Sequence, residues 1–405
     1  MWHRRADSAR LSVDVRGSME TKTISHETSA AEEQRRLLRE SARAFAKREL
    51  SPRRYRELRS LPVPFESRLW KALAELGWTG LMLPEAYGGS GLGVVESTAV
   101  MEELGRFLLP EPLVASAFFA GSLITEGDNE ELKKRLLPSL CAGKLIPSVA
   151  FQESLQARGP IGCQAEISGS GATLSGRKRF VRPCSGADGF VVCATTSAGL
   201  GLYWVTPDLP GLSISHERSA DGGDAGVLAL DKVKIEPSSV LTSPRLGQAA
   251  FDKAFDYALL AASAELVGLM RGALDMTLAY LRTRVQFGKP IGSFQALQHR
   301  AVDLYVQQEL SAAAVAEVAA QFDAEPGMSA VQRAAGASRV KARCSDAALL
   351  ITREAIQMHG AMGFTDECDI GLYLKRALVL SGWLGNSREH RARYLATTGI
   401  GAGPQ

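Results

Sequence analysis

The stretch from Arg282 to Gln295, RTRVQFGKPIGSFQ, joins one long apolar helix pattern to a second and decides how the rest of the chain is interpreted. Gly288, Pro290 and Gly292 suit a turn between two helices, because glycine accepts a positive φ and proline cannot continue a helix. An arginine near the end of a helix also meets the negative end of its dipole. Taken alone, the pattern favours a helix-to-helix turn over a ligand site, since such turns are common in helical proteins.

Helical periodicity continues on both sides of this turn. Apolar residues recur at helical spacing from Leu246 to Leu278, as the buried face of a long helix requires. Three further helices are predicted over 294–322, 330–358 and 370–395. We therefore expect a four-helix bundle over 242–398, followed by a short tail over 399–405.

Upstream, the pattern changes twice. Short runs of alternating and β-branched residues, separated by glycine, proline and serine, predict a β-barrel or sandwich domain over 147–241. Helical spacing returns over 29–146, interrupted by the turn PEAYGGSGLG at 84–93. Residues 1–28 are expected to be disordered or an extended reading frame, with Met19 as a second candidate start. The predicted fold class is α+β, with an N-terminal helical domain, a middle β domain and a C-terminal four-helix bundle.

Composition excludes several classes of function. The chain has 405 residues and a formal net charge of only +3, so it lacks the basic surface expected for nucleic-acid binding. The six cysteines form no CxxC pair and no short-spaced cluster, which argues against a zinc site or a disulfide framework. The six histidines form no HExxH motif, so we expect no metal site. The apolar runs are too short to span a bilayer, and there is no signal-peptide core. We expect a cytoplasmic protein.

Four motifs in the same order carry a resemblance to a known family. They are PEAYGGSGLG, the segment Arg284–Gly288 with Gln295, the segment Gln357–Phe364 (QMHGAMGF), and the segment Leu372–Arg376 (LYLKR). Together they resemble the acyl-CoA dehydrogenase family over about residues 30–397. The resemblance implies a tetramer with FAD held between subunits. It also implies oxidation of an acyl-CoA to the trans-2-enoyl-CoA, with an electron-transfer flavoprotein as electron acceptor.

The resemblance also implies which residues contact FAD. Arg284 is similar to the arginine that binds the pyrophosphate, Phe287 to the aromatic residue beside it, and Gln295 to a polar contact at the adenosine end. The loop that receives the adenosine and pyrophosphate of a neighbouring subunit's FAD is matched by Gln357, Gly360, Ala361 and Gly363. On the flavin-ring side, the implied contacts are Gln152, Phe180 and Asn386.

The catalytic base of the family has no counterpart at either expected position. The base is a carboxylate that removes the α-proton of the acyl-CoA, and its two known locations in the family fall on Leu384 and Ala258. Neither side chain can accept a proton. The nearby acids Asp256 and Glu265 are expected to be solvated or ion-paired helix residues rather than a substitute base.

The middle domain departs from the family as well. Arg182 replaces a small hydroxyl residue that is common beside the flavin, where a long cation would crowd the ring. The adenosine-side residues are kept while the base is missing, so the chain looks like the base-lacking subunit of a heteromeric enzyme. Three alternatives stay open: an enzyme acting alone with Asp256 or Glu265 as base, a non-catalytic subunit that binds acyl-CoA or a partner without its own flavin, and a flavin monooxygenase on the same fold.

Overall fold

The computed structural model describes residues 15–325 and 327–399. Residues 1–14 lie outside this part of the chain and helix α1 begins at Val15, within the predicted disordered leader 1–28. The described residues form an N-terminal group of helices, a β-sheet domain and a C-terminal bundle, which confirms the predicted fold class.

Within the described residues, the N-terminal group contains one long helix, α1, and five shorter helices separated by turns. Its members are α1 (Val15–Glu49), α2 (Pro52–Leu58), α3 (Ser67–Glu75), α4 (Val94–Gly105), α5 (Ser122–Thr125) and α6 (Glu130–Cys141). A π-helical segment, Leu113–Gly121, precedes α5 and is buried throughout. The predicted interruption PEAYGGSGLG at 84–93 is a short 3₁₀ turn followed by the start of α4.

The middle domain is an eight-stranded sheet in the described part of the chain. Its strands are β1 (Pro147–Ala150), β2 (Gln164–Ser168), β3 (Gly171–Val181), β4 (Gly189–Thr196), β5 (Gly199–Val205), β6 (Leu212–Arg218), β7 (Asp224–Ile235) and β8 (Val240–Thr242). They lie in the order β6-β7-β3-β2-β4-β5-β8, and β1 pairs with β4 in parallel. Side chains alternate across β4 and β5, so one face of these strands joins the helical core and the other closes the core of the sheet domain.

The C-terminal bundle is built on α7 (Pro244–Thr283), a helix of 40 residues. A hairpin of β9 (Val285–Gln286) and β10 (Lys289–Pro290) leads to α8 (Gln295–Ala324) and α9 (Ala330–His359). The predicted fourth helix over 370–395 is two helices, α10 (Ile370–Gly382) and α11 (Ser387–Thr398). The break lies at Leu384 and Gly385, whose φ angles of 61° and 104° no α-helix accommodates.

Helix α7 also joins the N-terminal group to the bundle. It packs against α4 so closely that a Cβ built on Gly268 would lie 2.0 Å from the carbonyl oxygen of Glu102. A window of α7 has the length and hydropathy of a membrane span, but 89% of that window is buried inside the protein. This apolar helix is therefore the central core helix shared by the two helical regions.

Candidate functional site

The stretch that follows α7 forms a hairpin that projects from the bundle. Phe287 and Gly288 have φ angles of 53° and 77°, as a two-residue type I′ turn requires. The amide of Ile291 donates to the carbonyl of Arg284 over 2.8 Å and closes the base of the hairpin. The side chain of Phe287 is 91% exposed and Arg284 is also exposed. The connection is thus a β-hairpin that presents an aromatic ring and a guanidinium group outwards.

The glycine-containing loop lies at the same end of the bundle. Helix α9 ends at His359, whose ring stacks on Tyr280 of α7 with centroids 4.4 Å apart. Tyr280 also donates its hydroxyl to the carbonyl of His359 over 3.3 Å. These contacts bring the end of α7, and the hairpin after it, next to the loop that begins at Gly360.

Most predicted adenosine-side residues face outwards at this end. Gln295 is the first residue of α8 and is exposed, as are Gln357, Gly360 and Ala361, whereas Gly363 is buried. A Cβ built on Gly288 or Gly360 would meet nothing within 4 Å, so the backbone there is open to a ligand or a neighbouring subunit. Exposed apolar side chains surround the same surface, including Phe364 at 80% exposure.

Residues that follow the glycine loop contact arginines of the N-terminal region. Arg59 of α2 pairs with Asp366 over 2.6 Å, and Arg56 donates to the carboxylate of Asp369 and to the carbonyl of Asp366. Arg218 of β6 in turn donates to the carbonyl of Arg59 over 2.8 Å. All three regions of the fold therefore fix the position of this loop.

On the predicted flavin-ring side, the polar groups already have partners within the chain. The amide nitrogen of Gln152 donates to the carbonyl of Ser154 over 2.8 Å, and the carbonyl of Gln152 accepts from the amide of Arg179 over 2.7 Å. That second bond brings Gln152 close to Phe180, whose ring lies 4.9 Å from the Arg179 guanidinium.

Asn386 caps α11, because its side-chain oxygen accepts from the amides of Arg388 and Glu389.

Both expected base positions are fully buried and apolar. Leu384 and Ala258 have no exposed surface. Asp256 is buried rather than solvated, and it pairs with Arg393 over 2.7 Å and Arg333 over 3.4 Å. Burial raises the pKa of Asp256, while the two arginines act in the opposite direction. Glu265 is likewise buried and accepts from Nε and Nη2 of Arg376 over 3.0 and 2.5 Å.

Glu265 belongs to a buried charge cluster at the junction of the three regions. Arg376 also pairs with Asp221 over 2.9 Å and so links this aspartate to Glu265. The guanidinium of Arg182 lies 3.8 Å from the Asp221 carboxylate. Burial opposes the ionisation of Asp221, but Arg182 and Arg376 outweigh it and lower its pKa to about 2. Arg182 is thus directed to an acid partner. No sequence motif marks this cluster, because its members lie far apart along the chain.

A second missed residue, Glu111, faces the same junction. Its carboxyl group is buried, accepts from Arg54, and has one oxygen, Oε2, with no hydrogen-bond partner. Burial raises the pKa of Glu111. The carboxyl group and the Arg376 cluster line a cavity of about 60 Å³ that also contacts Trp383. An acid placed between Pro110 and Pro112 in an apolar run was the one sequence signal for this residue.

Four phenylalanines fill the space beside Ala258. Phe119, Phe151, Phe251 and Phe255 form this phenylalanine cluster, with ring centroids 5.4–6.1 Å apart. The guanidinium of Arg158 lies 5.0 Å from the ring of Phe255 and pairs with Asp252. Phe255 lies one helical turn before Ala258 on α7, so the phenylalanine cluster begins next to this expected base position.

Comparison with known proteins agrees with this architecture. Residues 32–144 match the acyl-CoA dehydrogenase N-terminal domain, and residues 246–396 match the acyl-CoA dehydrogenase C-terminal domain. Acyl-CoA dehydrogenase IpdE2 of Mycolicibacterium smegmatis is 30% identical over 362 residues, which cover 89% of this chain and 97% of that protein. Mitochondrial isovaleryl-CoA dehydrogenase of Pongo abelii is 28% identical over 377 residues, which cover 89% and 87% respectively.

A solved structure supports the same relationship. The Tcur3481-Tcur3483 steroid ACAD is 31% identical and superposes with a TM-score of 0.82, covering 91% of this chain and 99% of that one. The two family matches, the relative of nearly equal length and the shared fold lead to one conclusion: this chain belongs to the acyl-CoA dehydrogenase family.

Proposed function

We propose that this chain is the base-lacking subunit of a heteromeric, FAD-dependent acyl-CoA dehydrogenase. In this assembly it completes the adenosine side of a FAD site whose flavin pocket and catalytic base belong to a partner of the same family. The observation that carries the proposal is the pair of buried apolar residues, Leu384 and Ala258, at the two positions where the family places its base.

The residues at the predicted adenosine end have groups available to bind FAD, whereas those at the predicted flavin-ring end do not. At the adenosine end, Arg284 offers an exposed guanidinium for a pyrophosphate, Phe287 an exposed ring, and Gly360 an open backbone. At the ring end, Gln152 and Asn386 already use their polar groups inside the chain, and Arg182 is directed towards Asp221. This asymmetry supports a chain that contributes to a site on another subunit.

The chemistry divides between the subunits accordingly. The acyl-CoA loses its α-proton to a carboxylate of the partner and its β-hydrogen as a hydride, which forms the trans-2 double bond. When bound, FAD would supply the hydride acceptor, and an electron-transfer flavoprotein would be the electron acceptor. In this chain, Arg284 and Phe287 bind and orient the cofactor, and the loop at Gly360 lets a backbone approach it closely. We place this reaction in the cytoplasm.

The substrate class is drawn from a relative. This relative is the Tcur3481-Tcur3483 protein, a steroid ACAD whose name joins two proteins. We propose a CoA thioester of a steroid side chain or a fatty acid as the substrate of the assembled enzyme. The nearest alternative, in which this chain acts alone with Asp256 or Glu265 as base, is less well supported, because both carboxylates are paired with arginines.

The first experiment compares the chain alone with the chain co-expressed with a family homologue that has glutamate at the position of Leu384. We expect the chain alone to be colourless and inert to acyl-CoAs, and the complex to bind FAD and bleach on anaerobic addition of substrate. A chain that is yellow alone and bleached by an acyl-CoA contradicts the proposal. A chain that stays colourless yet binds acyl-CoA, with no effect on any homologue, identifies a binding subunit instead.

A variant pair then locates the contribution of this chain. Arg284→Ala in this subunit is expected to weaken FAD binding by the complex at least about tenfold, because a charge-assisted contact to phosphate is lost. Arg245→Ala, which removes an exposed arginine at the other end of α7, is the matched control and should leave FAD binding unchanged. Equal FAD affinity in both variants would show that the adenosine side is supplied by the other subunit.

A further inference from the structure

Three potential metal ligands converge at one edge of the β-sheet, away from the hairpin and the glycine loop. Cys184 lies in the turn after β3, His216 on β6 and Asp224 at the start of β7. Their ligand atoms all lie within 4.8 Å of one another, and Nδ1 of His216 is 3.6 Å from Oδ1 of Asp224. Cys184 precedes His216 by 32 residues and Asp224 follows it by eight, a spacing that matches none of the metal-binding motifs sought in the sequence.

The register of the sheet places these residues together. His216 pairs directly with Gly226 of β7, and Gly226 also pairs with Val181 of β3. Asp224 lies two residues before Gly226, on the diagonal from His216, where side chains of neighbouring strands are within reach. A Cβ on Gly226 would lie 2.0 Å from Sγ of Cys184, so only glycine at this position leaves room for the thiol against the strand.

The carboxylate of Asp224 is fixed in position before any ion binds. Its Oδ2 accepts from the amides of Cys184, over 2.6 Å, and of Ser185. Its Oδ1 accepts from the Ser185 hydroxyl over 3.0 Å, and the same hydroxyl lies 2.9 Å from Nδ1 of His216. Backbone bonds of this kind orient a ligating carboxylate. For Oδ1 and Nδ1 to bind an ion, the Ser185 hydroxyl that now lies between them would have to rotate away.

We propose that Cys184, His216 and Asp224 form a zinc site with three protein ligands, in which a water molecule takes the fourth coordination position. Sulfur, imidazole nitrogen and carboxylate oxygen are the ligands that Zn²⁺ accepts in tetrahedral sites, at about 2.0–2.3 Å from the ion. Donors at that distance are about 3.3–3.8 Å from each other. The His216–Asp224 pair, at 3.6 Å, already has this separation. The other pairs lie within 4.8 Å and would need to close by up to about 1.0–1.5 Å.

Charge and access also suit a divalent ion. A thiolate, a carboxylate and a neutral imidazole cancel the two positive charges of Zn²⁺, so the half-buried site has no net charge once the thiol proton has passed to solvent. Cys184 and Asp224 are buried, whereas His216 is exposed and can rotate towards the ion. A cavity of about 500 Å³, lined also by Pro62 and Ile214, opens the site to solvent.

The neighbouring cation does not compete for these ligands. Arg218 directs its guanidinium to the carbonyls of Arg59, Leu61 and Gly222, not to Asp224. An ion at the site would tie the turn after β3 to the β6–β7 pair. That turn begins at Arg182, next to the buried charge cluster, so the ion would stiffen the sheet side of the domain junction.

The test uses the full chain after chelator treatment, titrated with Cd²⁺ and then with Zn²⁺. We expect a thiolate-to-metal absorption band that saturates at one Cd²⁺ per chain and is displaced by Zn²⁺. His216→Gln, at an exposed side chain that should not disturb folding, is expected to weaken binding at least about tenfold. Cys184→Ser should abolish the band, whereas the controls His299→Gln and Cys368→Ser should bind as the original chain does.

A second readout does not depend on spectroscopy. Because zinc would bind only the folded state, it should raise the melting temperature of the original chain and of His299→Gln but not that of His216→Gln. Absence of the band in the original chain overturns the proposal. Binding that survives both Cys184→Ser and His216→Gln also overturns it, since the ion would then lie elsewhere.

Discussion

The imidazole of His390 contacts the backbone of Leu384 directly: its Nε2 lies 3.0 Å from the carbonyl oxygen of Leu384. Because that carbonyl can only accept, Nε2 carries the proton. Leu384 stands at one of the two positions predicted for the family's catalytic base and has a φ of 61°. Nζ of Lys341 approaches the carbonyls of Leu380, Ser381 and Gly385, at 3.0–3.3 Å, around the same turn. Two buried basic side chains thus hold the turn between α10 and α11.

The first prediction concerns His390 and acid stability. Burial, reinforced by the positive charges of Lys341 and Arg393, lowers the pKa of His390 from 6.5 to about 3. Between these values the unfolded state binds a proton that the folded state does not, so stability falls as the pH drops from about 6.5 to about 3. His390→Gln should reduce this dependence in urea titrations. His299→Gln, at an exposed histidine, should keep it, and an equal slope in all three proteins would contradict the assignment.

The second prediction concerns Lys341 and the stability of the protein at alkaline pH. Burial lowers the pKa of Lys341 from 10.5 to about 7. The unfolded state therefore holds a proton that the folded state lacks between these values, and stability should rise as the pH increases from about 7 to about 10.5. Lys341→Met should remove the rise and leave buried carbonyls without a donor, at a cost of about 1–3 kcal/mol. Lys144→Met, at an exposed lysine, is the control. Urea midpoints at pH 7 and pH 9.5 measure both effects.

The third prediction concerns the buried charge cluster. Arg376→Met leaves the Glu265 carboxylate buried without its partner, which should cost about 3–5 kcal/mol in the free energy of unfolding. The double variant Arg376→Met with Glu265→Leu removes both charges and should regain part of this loss. Arg353→Met, at an exposed arginine, should change stability little. Additive effects in a double-mutant cycle of Arg376 and Glu265 would show that the two side chains are not coupled.

The fourth prediction compares two glycines near the end of the bundle. Gly360 has φ 62° and ψ −144°, a region that is essentially restricted to glycine, so Gly360→Ala should destabilise the protein by about 1–3 kcal/mol. Gly371 is helical and a Cβ there would meet nothing within 4 Å. Gly371→Ala should therefore stabilise α10 by about 0.5–1 kcal/mol. Thermal melting distinguishes the two, and equal shifts would refute the conformational argument.

The sequence allowed the fold to be predicted because its periodicities are strong. The apolar spacing of α7 and the alternation in β4 and β5 are local signals, and the motifs around Arg284 and Gly360 have fixed positions along the chain. Helical periodicity alone predicted one continuous fourth helix over 370–395. The break at Leu384 depends on positive φ angles and on contacts from Lys341 and His390, which periodicity does not encode.

The candidate site was predictable only in part for the same reason. The positions of the expected base, Leu384 and Ala258, were predicted by comparison with family motifs, and they stay predictions. The partners of Asp256 and Glu265 are arginines more than 70 residues away. The sequence therefore could not show whether these acids are solvated or form buried ion pairs. Asp256 was expected to be solvated or ion-paired, and it is paired in the core. No motif marks Glu111, because its raised pKa results from burial where the three regions of the fold meet.

The close contact of α4 with α7 has a consequence for how the chain acquires its structure. Gly105 and Gly268 place these two helix backbones against each other, yet they are separated by about 160 residues. At a synthesis rate of about 5–20 residues per second, the N-terminal helices leave the ribosome roughly 10–30 seconds before the helix that covers them. Their apolar faces are exposed throughout that interval. The nascent chain is therefore a natural client for chaperones that bind hydrophobic segments, and a chain truncated within the sheet domain would be a target for proteolysis.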